Sequence, residues 1–239
     1  MGIRRRKQLI YGLIYLAIIG GICFGVYYFF LKPPPAPPCA DCIPGTVRSV
    51  AVAGNVLAFN PLAGHAAVLA QVANVNGDYG ADSFDFTVNL YDSSGTSLGA
   101  VRGTSFVYPD ETKYLVVSNQ AVMGAAASAD LVIGNTHWEP SSTVGAAPHF
   151  TFKNVVTAPV AGSPGTLAVG GEITDDDNSA FANVTVVAIF KDRYGSPAGV
   201  SETVLDRIEP RQTGTFSVTY PAQPGINPSA TEVHAYAWR

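Results

Sequence analysis

The sequence predicts an all-β protein: two tandem β-sandwich domains of immunoglobulin-like size, preceded by one N-terminal transmembrane helix. Three observations carry that prediction. A single uncharged apolar run of membrane-spanning length stands near the start of the chain. One phrase, Asp-x-x-Gly-x-x-x-Gly behind a strand-like run, is written twice about a hundred residues apart. Beyond residue 45 no amphipathic helical period appears; short alternating runs rich in Val, Thr, Phe and Tyr recur between clusters of Gly, Pro, Asn and Asp, the pattern of a sandwich or barrel. With 239 residues, 47% of them hydrophobic, the chain has room for one span and two small domains.

Residues 1–8 read as a basic cytoplasmic tail and residues 9–31 as the span. Leu9 to Leu31 carries no charge, and about 20 apolar residues suffice to cross a bilayer core as a helix. Arg4, Arg5, Arg6 and Lys7 precede it and only Lys32 follows, which by the positive-inside rule leaves the N-terminus in the cytoplasm and the rest outside. Tyr27, Tyr28, Phe29 and Phe30 suit the outer interface, where aromatic belts form. A cleaved signal peptide is the rival; its apolar core is shorter and ends in small residues, whereas this run ends in bulky aromatics. The expected location is therefore the cell membrane, with a single uncleaved signal anchor. Ala17, Gly21 and Gly25 recur every four residues, a small-residue ridge through which two such helices could form a homodimer.

Charge divides at this segment. All 18 acidic residues follow Lys32, against nine of the 14 basic ones, which leaves the outer part at −9. No basic face remains there for nucleic acid, whose binding rests on neutralising phosphates.

Residues 32–45, KPPPAPPCADCIPG, read as a stalk. Proline favours an extended, semi-rigid spacer that holds the outer domains clear of the membrane. Cys39 and Cys42 form a CxxC within it. Three states stay open: a structural or intermolecular disulfide, free thiols, or a redox or metal role. The last is the least supported, since no thioredoxin-like βαβ unit surrounds the pair and no second CxxC completes a zinc site.

The two β domains are read at 46–138 and 149–239, joined by a linker at 139–148. In FDFTVNLYD, Phe84, Phe86, Val88 and Leu90 point one way and Asp85, Thr87 and Asn89 the other, one buried and one wet face. The repeat extends beyond that strand. YPDETKYLVV (Tyr108–Val117) matches EPRQTGTFSV (Glu209–Val218), pairing Pro109 with Pro210, Thr112 with Thr213 and Leu115 with Phe216. Leading strands are expected at Val47–Ala53 and Phe150–Val156, and each copy closes on a strand with tryptophan, Trp138 and Trp238. The short linker implies domains that touch at their ends.

FTVNLYD (Phe86–Asp92) resembles the FxLYD domain, a small immunoglobulin-like sandwich of bacterial and archaeal envelope proteins, and NVNGDYGA, LYDSSG and YPDETKYLV together resemble single-pass proteins of uncultured bacteria. Phe86, Val88, Leu90, Tyr91 and Asp92 carry the likeness. The second copy departs from it, with Lys191 in place of the tyrosine. The resemblance implies fold and envelope location, and brings no catalytic residues.

The residues suggest little chemistry. Asp92 with Gly95, and Asp192 with Gly195, have the pattern of a turn: the Asp carboxylate accepts from backbone N–H groups and the Gly takes positive φ. Asp175, Asp176 and Asp177 are weak metal candidates, since calcium wants six to eight oxygens and this run lacks a central glycine and a distal glutamate. His65, His137, His149 and His234 form no metal motif, and no nucleophile elbow or phosphate loop is present. Asn183-Val184-Thr185 is a sequon, of use only in a host that glycosylates. The strand at Val184–Ile189 is apolar on both faces, so Val187 and Ile189 form a stripe needing a cover: a loop, the first domain, or another protein. The function expected is non-catalytic, without cofactor: an envelope-anchored interaction or scaffold protein contacting other envelope proteins. The alternatives are an envelope ligand or metal-ion sensor using the acidic loop, and a thiol-redox protein working through Cys39 and Cys42.

Overall fold

The computed structural model describes residues 47–239. The expected span at 9–31, with Ala17, Gly21 and Gly25, and the stalk cysteines Cys39 and Cys42 lie outside them. Among the described residues no helix is long and apolar enough to cross a membrane.

The described chain is all-β, built from four antiparallel sheets. The first copy contains β1 (Ala51–Val52), β2 (Leu57–Leu62), β3 (His65–Ala73), β4 (Tyr79–Tyr91), β5 (Ser97–Val107), β6 (Thr112–Ala121) and β7 (Ser128–Pro140). Strands β1 and β2 pair along one side of β3 and β6 along the other; β5 and β7 flank β4. The second copy repeats the plan with β8 (Phe150–Pro159), β9 (Thr166–Asp175), β10 (Phe181–Lys191), β11 (Pro197–Ile208), β12 (Thr213–Pro221) and β13 (Glu232–Tyr236). Here β8 and β12 flank β9, and β11 and β13 flank β10. The only α-helix among the described residues is a single turn, Ser141–Val144, inside the linker.

Each copy encloses its own core between two sheets. Ala66, Val68, Ala70 and Val72 from β3 meet Phe84, Val88 and Leu90 from β4 and Leu131 from β7. In the second copy Val169 and Ile173 from β9 meet Val184, Val186, Ala188 and Phe190 from β10. Spacing of two along these strands is the pleat sorting side chains to opposite faces.

Three expectations need correction. The leading strand at Val47–Ala53 is reduced to the two residues of β1, and β2 takes over the rest of that edge. Gly54, at φ +88°, turns the chain between them. In the second copy one strand, β8, spans the same edge by absorbing the irregularity as a bulge between Lys153 and Val156, with Asn154 at φ +53°. The tryptophans also part company. Trp138 pairs opposite Ala81 and packs on its own core, whereas Trp238 lies past β13 with its ring 4.6 Å from that of Tyr108 in the first copy.

The copies meet face to face and not at their ends. Strand β3 is buried on both faces: its even residues fill the first core, while Ala67 and Leu69 point the other way. They pack against Val187 and Ile189 of β10 and Val200 of β11, a third apolar core between the copies. Leu57, Phe59, Tyr114, Val116 and Tyr236 rim it. The four sheets therefore stack as β5–β4–β7, β2–β3–β6, β11–β10–β13 and β12–β9–β8. The stack ends because the outward face of β4 carries Asp85, Thr87 and Asn89 where β10 carries Val187 and Ile189.

Candidate functional site

The repeated turns are structural elements built alike. Asp92 Oδ1 accepts the N–H groups of Ser94 and Thr96, both at 2.8 Å, and Gly95 N–H donates to the Asp92 carbonyl at 3.1 Å. Asp192 Oδ1 accepts those of Tyr194 and Ser196 at 2.8 and 2.9 Å, and Gly195 N–H donates to the Asp192 carbonyl at 3.1 Å. Gly95 and Gly195 stand at φ +82° and +83°, a region open to glycine at little cost. Hydrogen bonding, from the Ser94 hydroxyl first and then the Thr96 N–H, holds the Asp92 carboxyl below the ordinary value. These carboxylates are occupied by their own turns.

The acidic run is divided among separate partners. Asp176 accepts the Thr151 hydroxyl. Asp177 accepts the His149 N–H at 3.3 Å and lies 3.5 Å from the Arg239 guanidinium. Asn178 accepts from Arg211 at 3.2 Å. Asp175 is fully buried; its Oδ1 accepts the Asp177 N–H at 2.8 Å, and its Oδ2 has no partner.

The first copy explains that orphan oxygen. Asn74 N–H donates to the Glu111 carbonyl as Asp175 N–H does to Gln212, and Asn74 Oδ1 accepts the Asn76 N–H as Asp175 Oδ1 accepts that of Asp177. Asn74 then uses Nδ2 to donate to the carbonyls of Tyr79 at 2.7 Å and Tyr108 at 2.9 Å. Asp175 offers a second acceptor where the fold wants a donor. Burial, together with the charges of Asp177 and Asp176, raises its pKa, against the Asp177 N–H and Arg211. Asp175→Asn is therefore expected to stabilise the protein by about 1–2 kcal/mol at neutral pH, because an unmatched buried acceptor becomes a donor. A raised folded pKa favours the native state below the unfolded carboxylate value, and that contribution is lost as pH rises through the folded pKa. The advantage of Asn should thus be small in acid and full at neutral pH. Urea unfolding across that range measures it; an advantage independent of pH, or a loss at neutral pH, would contradict the assignment.

Between the copies lies a cavity of about 250 Å³, lined by Ser105, Phe106, Lys113, Thr185, Glu202 and Tyr236 among others. Lys113 is 4% exposed. Its Nζ sits 3.5 Å from the Phe106 ring centroid, 5.0 Å from that of Tyr236, and 3.4 Å from Ser105 Oγ. Burial pushes its pKa down to about 8, against the opposing pull of Glu111 and Glu202. Burial likewise raises both carboxyls, which keep the Tyr108 N–H and the Ser118 hydroxyl as partners. The signal was present in the alternation of β6, where Lys113 is in phase with the inward Leu115 and Val117.

Hydrogen bonds also cross the junction. The Tyr108 hydroxyl donates to the Ala237 carbonyl and accepts the Arg239 N–H, each at 3.2 Å. Tyr114 N–H donates to the Tyr236 hydroxyl at 3.0 Å, and the Gln223 amide to the Asn60 carbonyl at 2.8 Å. His234 packs its ring 4.9 Å from that of Tyr114.

One further cluster escaped the sequence motifs. Asp82, His137 and Glu139 bring their ligand atoms within 4.8 Å of one another, the only such group of three among the described residues. His137 Nδ1 lies 2.8 Å from Asp82 Oδ1. The residues are 55 apart in the chain and joined only by the pairing of β4 with β7.

These features define a class: an all-β protein of two packed repeats, each with one core between two antiparallel sheets. No protein-family model and no curated protein matches the sequence. Among solved structures, red sea bream transglutaminase is similar at 10% identity and a TM-score of 0.24, over 80% of this chain and 31% of that one. The N-terminal CBM22-1–CBM22-2 tandem domain from Paenibacillus barcinonensis Xyn10C is similar at 12% identity and a TM-score of 0.16, over 82% and 87%. Likenesses this weak have no bearing on function.

Proposed function

We propose that this chain is a non-catalytic interaction or scaffold protein of the cell envelope, held by a single N-terminal span with its two immunoglobulin-like domains outside. The observation that carries the reading is the face-to-face packing of the two copies. The doubly apolar strands β3 and β10 cover each other, so the described residues behave as one body. The surfaces that remain outward are suited to contact: the polar face of β5–β4–β7, and the edge strand β8 with Val155 and Val156 exposed at 38% and 62%. The span rests on the uncharged run Leu9–Leu31 and the basic residues before it.

The test has two arms. The full chain should resist carbonate extraction from membranes, with its C-terminal domains open to protease from the outer side. Crosslinking in intact envelopes should then trap a stoichiometric envelope protein. A carbonate-extractable chain would reject the anchor. Absence of any partner, with specific small-ligand stabilisation instead, would reject the scaffold in favour of a sensor.

A further inference from the structure

We propose that Asp82, His137 and Glu139 form a binding site for a zinc-class divalent transition ion on the outward face of the β5–β4–β7 sheet. Three features of the strands support it. Register between β4 and β7 shifts between Ala81 and Ser83, so Asp82 and Ser83 together oppose His137. Ala81 and Phe84 on either side face the core, which sends Asp82 to the outside. On β7, His137 and Glu139 flank Trp138, which packs inward, so both share that outer face. A bulge of this kind re-aims a side chain without breaking the sheet.

The second copy shows that the fold does not require this arrangement. Its β10–β11 pair runs from Phe181 opposite Ile208 to Phe190 opposite Gly199 without a shift, whereas the corresponding β4–β5 pair shifts between Ala81 and Phe84, around Asp82. Its closing strand β13 ends at Tyr236, opposite Thr185, before reaching the stretch where His137 and Glu139 stand in β7. Both the bulge and the strand extension are private to the first copy, and together they assemble the three ligand atoms.

The donor set selects the ion. One imidazole and two carboxylates suit zinc and its first-row neighbours, which take nitrogen at about 2.0–2.1 Å and oxygen at about 2.0–2.2 Å. Calcium wants six to eight oxygens and magnesium an oxygen octahedron, so an imidazole disfavours both. The His137 and Asp82 atoms already stand 2.8 Å apart, and the Ser83 hydroxyl, 3.3 Å from Asp82 Oδ1, steadies that carboxylate. His137 is exposed, so the ion keeps open positions for water.

The test is calorimetric titration of Zn²⁺ into the purified full chain carrying Cys23→Ala, Cys39→Ser and Cys42→Ser, which removes thiolate competition. Expected is one saturable equivalent, weakened at least about tenfold by His137→Ala, Asp82→Asn or Glu139→Gln, and unchanged by His149→Ala at another exposed histidine. Ca²⁺ should not compete. Far-UV circular dichroism confirms that each variant keeps its fold, which exposed and half-buried positions permit. Absence of saturable binding, or binding that survives His137→Ala, would overturn the site.

Discussion

Replacing Val187 with Asp is expected to destabilise the protein by more than about 4 kcal/mol, enough to part the two copies or unfold the second. Val187 is 1% exposed and lies on the face of β10 turned away from its own core, against Ala67 and Leu69. A carboxylate there has no partner within the apolar layer, and its burial must be relieved by separation, water entry or protonation. Ile189→Ala, which leaves a cavity in the same layer, should cost about 2–5 kcal/mol. Val204→Asp is the control, since Val204 is 53% exposed and lies outside this layer; about 0.5 kcal/mol or less is expected. Urea unfolding measures the costs, and proteolysis across residues 139–148 reports separation. A Val187→Asp protein as stable and as compact as the control variant would refute the described packing.

Lys113→Met is expected to raise stability by about 1–3 kcal/mol at pH 7, although it removes a charged group ringed by aromatics. Burial pushes the Lys113 amine down to about 8 from an ordinary 10.5. A depressed folded pKa means that the native state is favoured above the unfolded value and disfavoured as pH falls through the folded one. At pH 7 the native chain therefore carries the full cost of a buried ammonium, reduced by the Phe106 ring and the Ser105 hydroxyl. Met fills similar volume without that cost. Its advantage should shrink as pH rises from about 8 through the ordinary 10.5, above which the amine is neutral in both states. Glu202 and Glu111 keep their own hydrogen-bond partners, so removal of the lysine does not leave them bare. A Met variant less stable at pH 7, or a difference flat between pH 7 and 10, would mean that Lys113 is held by more than the described contacts.

Much of the fold was legible because period two is a local signal. The alternation in FDFTVNLYD assigns Phe84, Phe86, Val88 and Leu90 inward; Phe84, Val88 and Leu90 are buried and Phe86 is half-buried against the same core. The repeated Asp-x-x-Gly marks two turns with the same hydrogen bonds, because an Asx turn is closed within five residues. The apolar stripe at Val187 and Ile189 announced a cover. Its counterpart on β3 was equally visible in HAAVLAQVA, an apolar run with no wet face, which is how a strand buried on both sides reads.

What covers what was decided only by tertiary structure. No local pattern says that Leu69 and Ile189, 120 residues apart, share a layer; that depends on which sheet faces turn toward each other once both cores have closed. The same holds for Asp175, ordinary as part of an acidic run and anomalous only when its buried oxygen is compared with the Asn74 amide. It holds for Asp82, His137 and Glu139, which carry no motif spacing because a one-residue bulge, a property of pairing between distant strands, sets their convergence. The sequence by itself determined the elements, their repetition and their buried faces, since these follow from backbone geometry and side-chain polarity over a few residues. The junction between the copies and the grouping of polar atoms within it came from long-range packing, where burial energy is shared among residues that never meet in the chain.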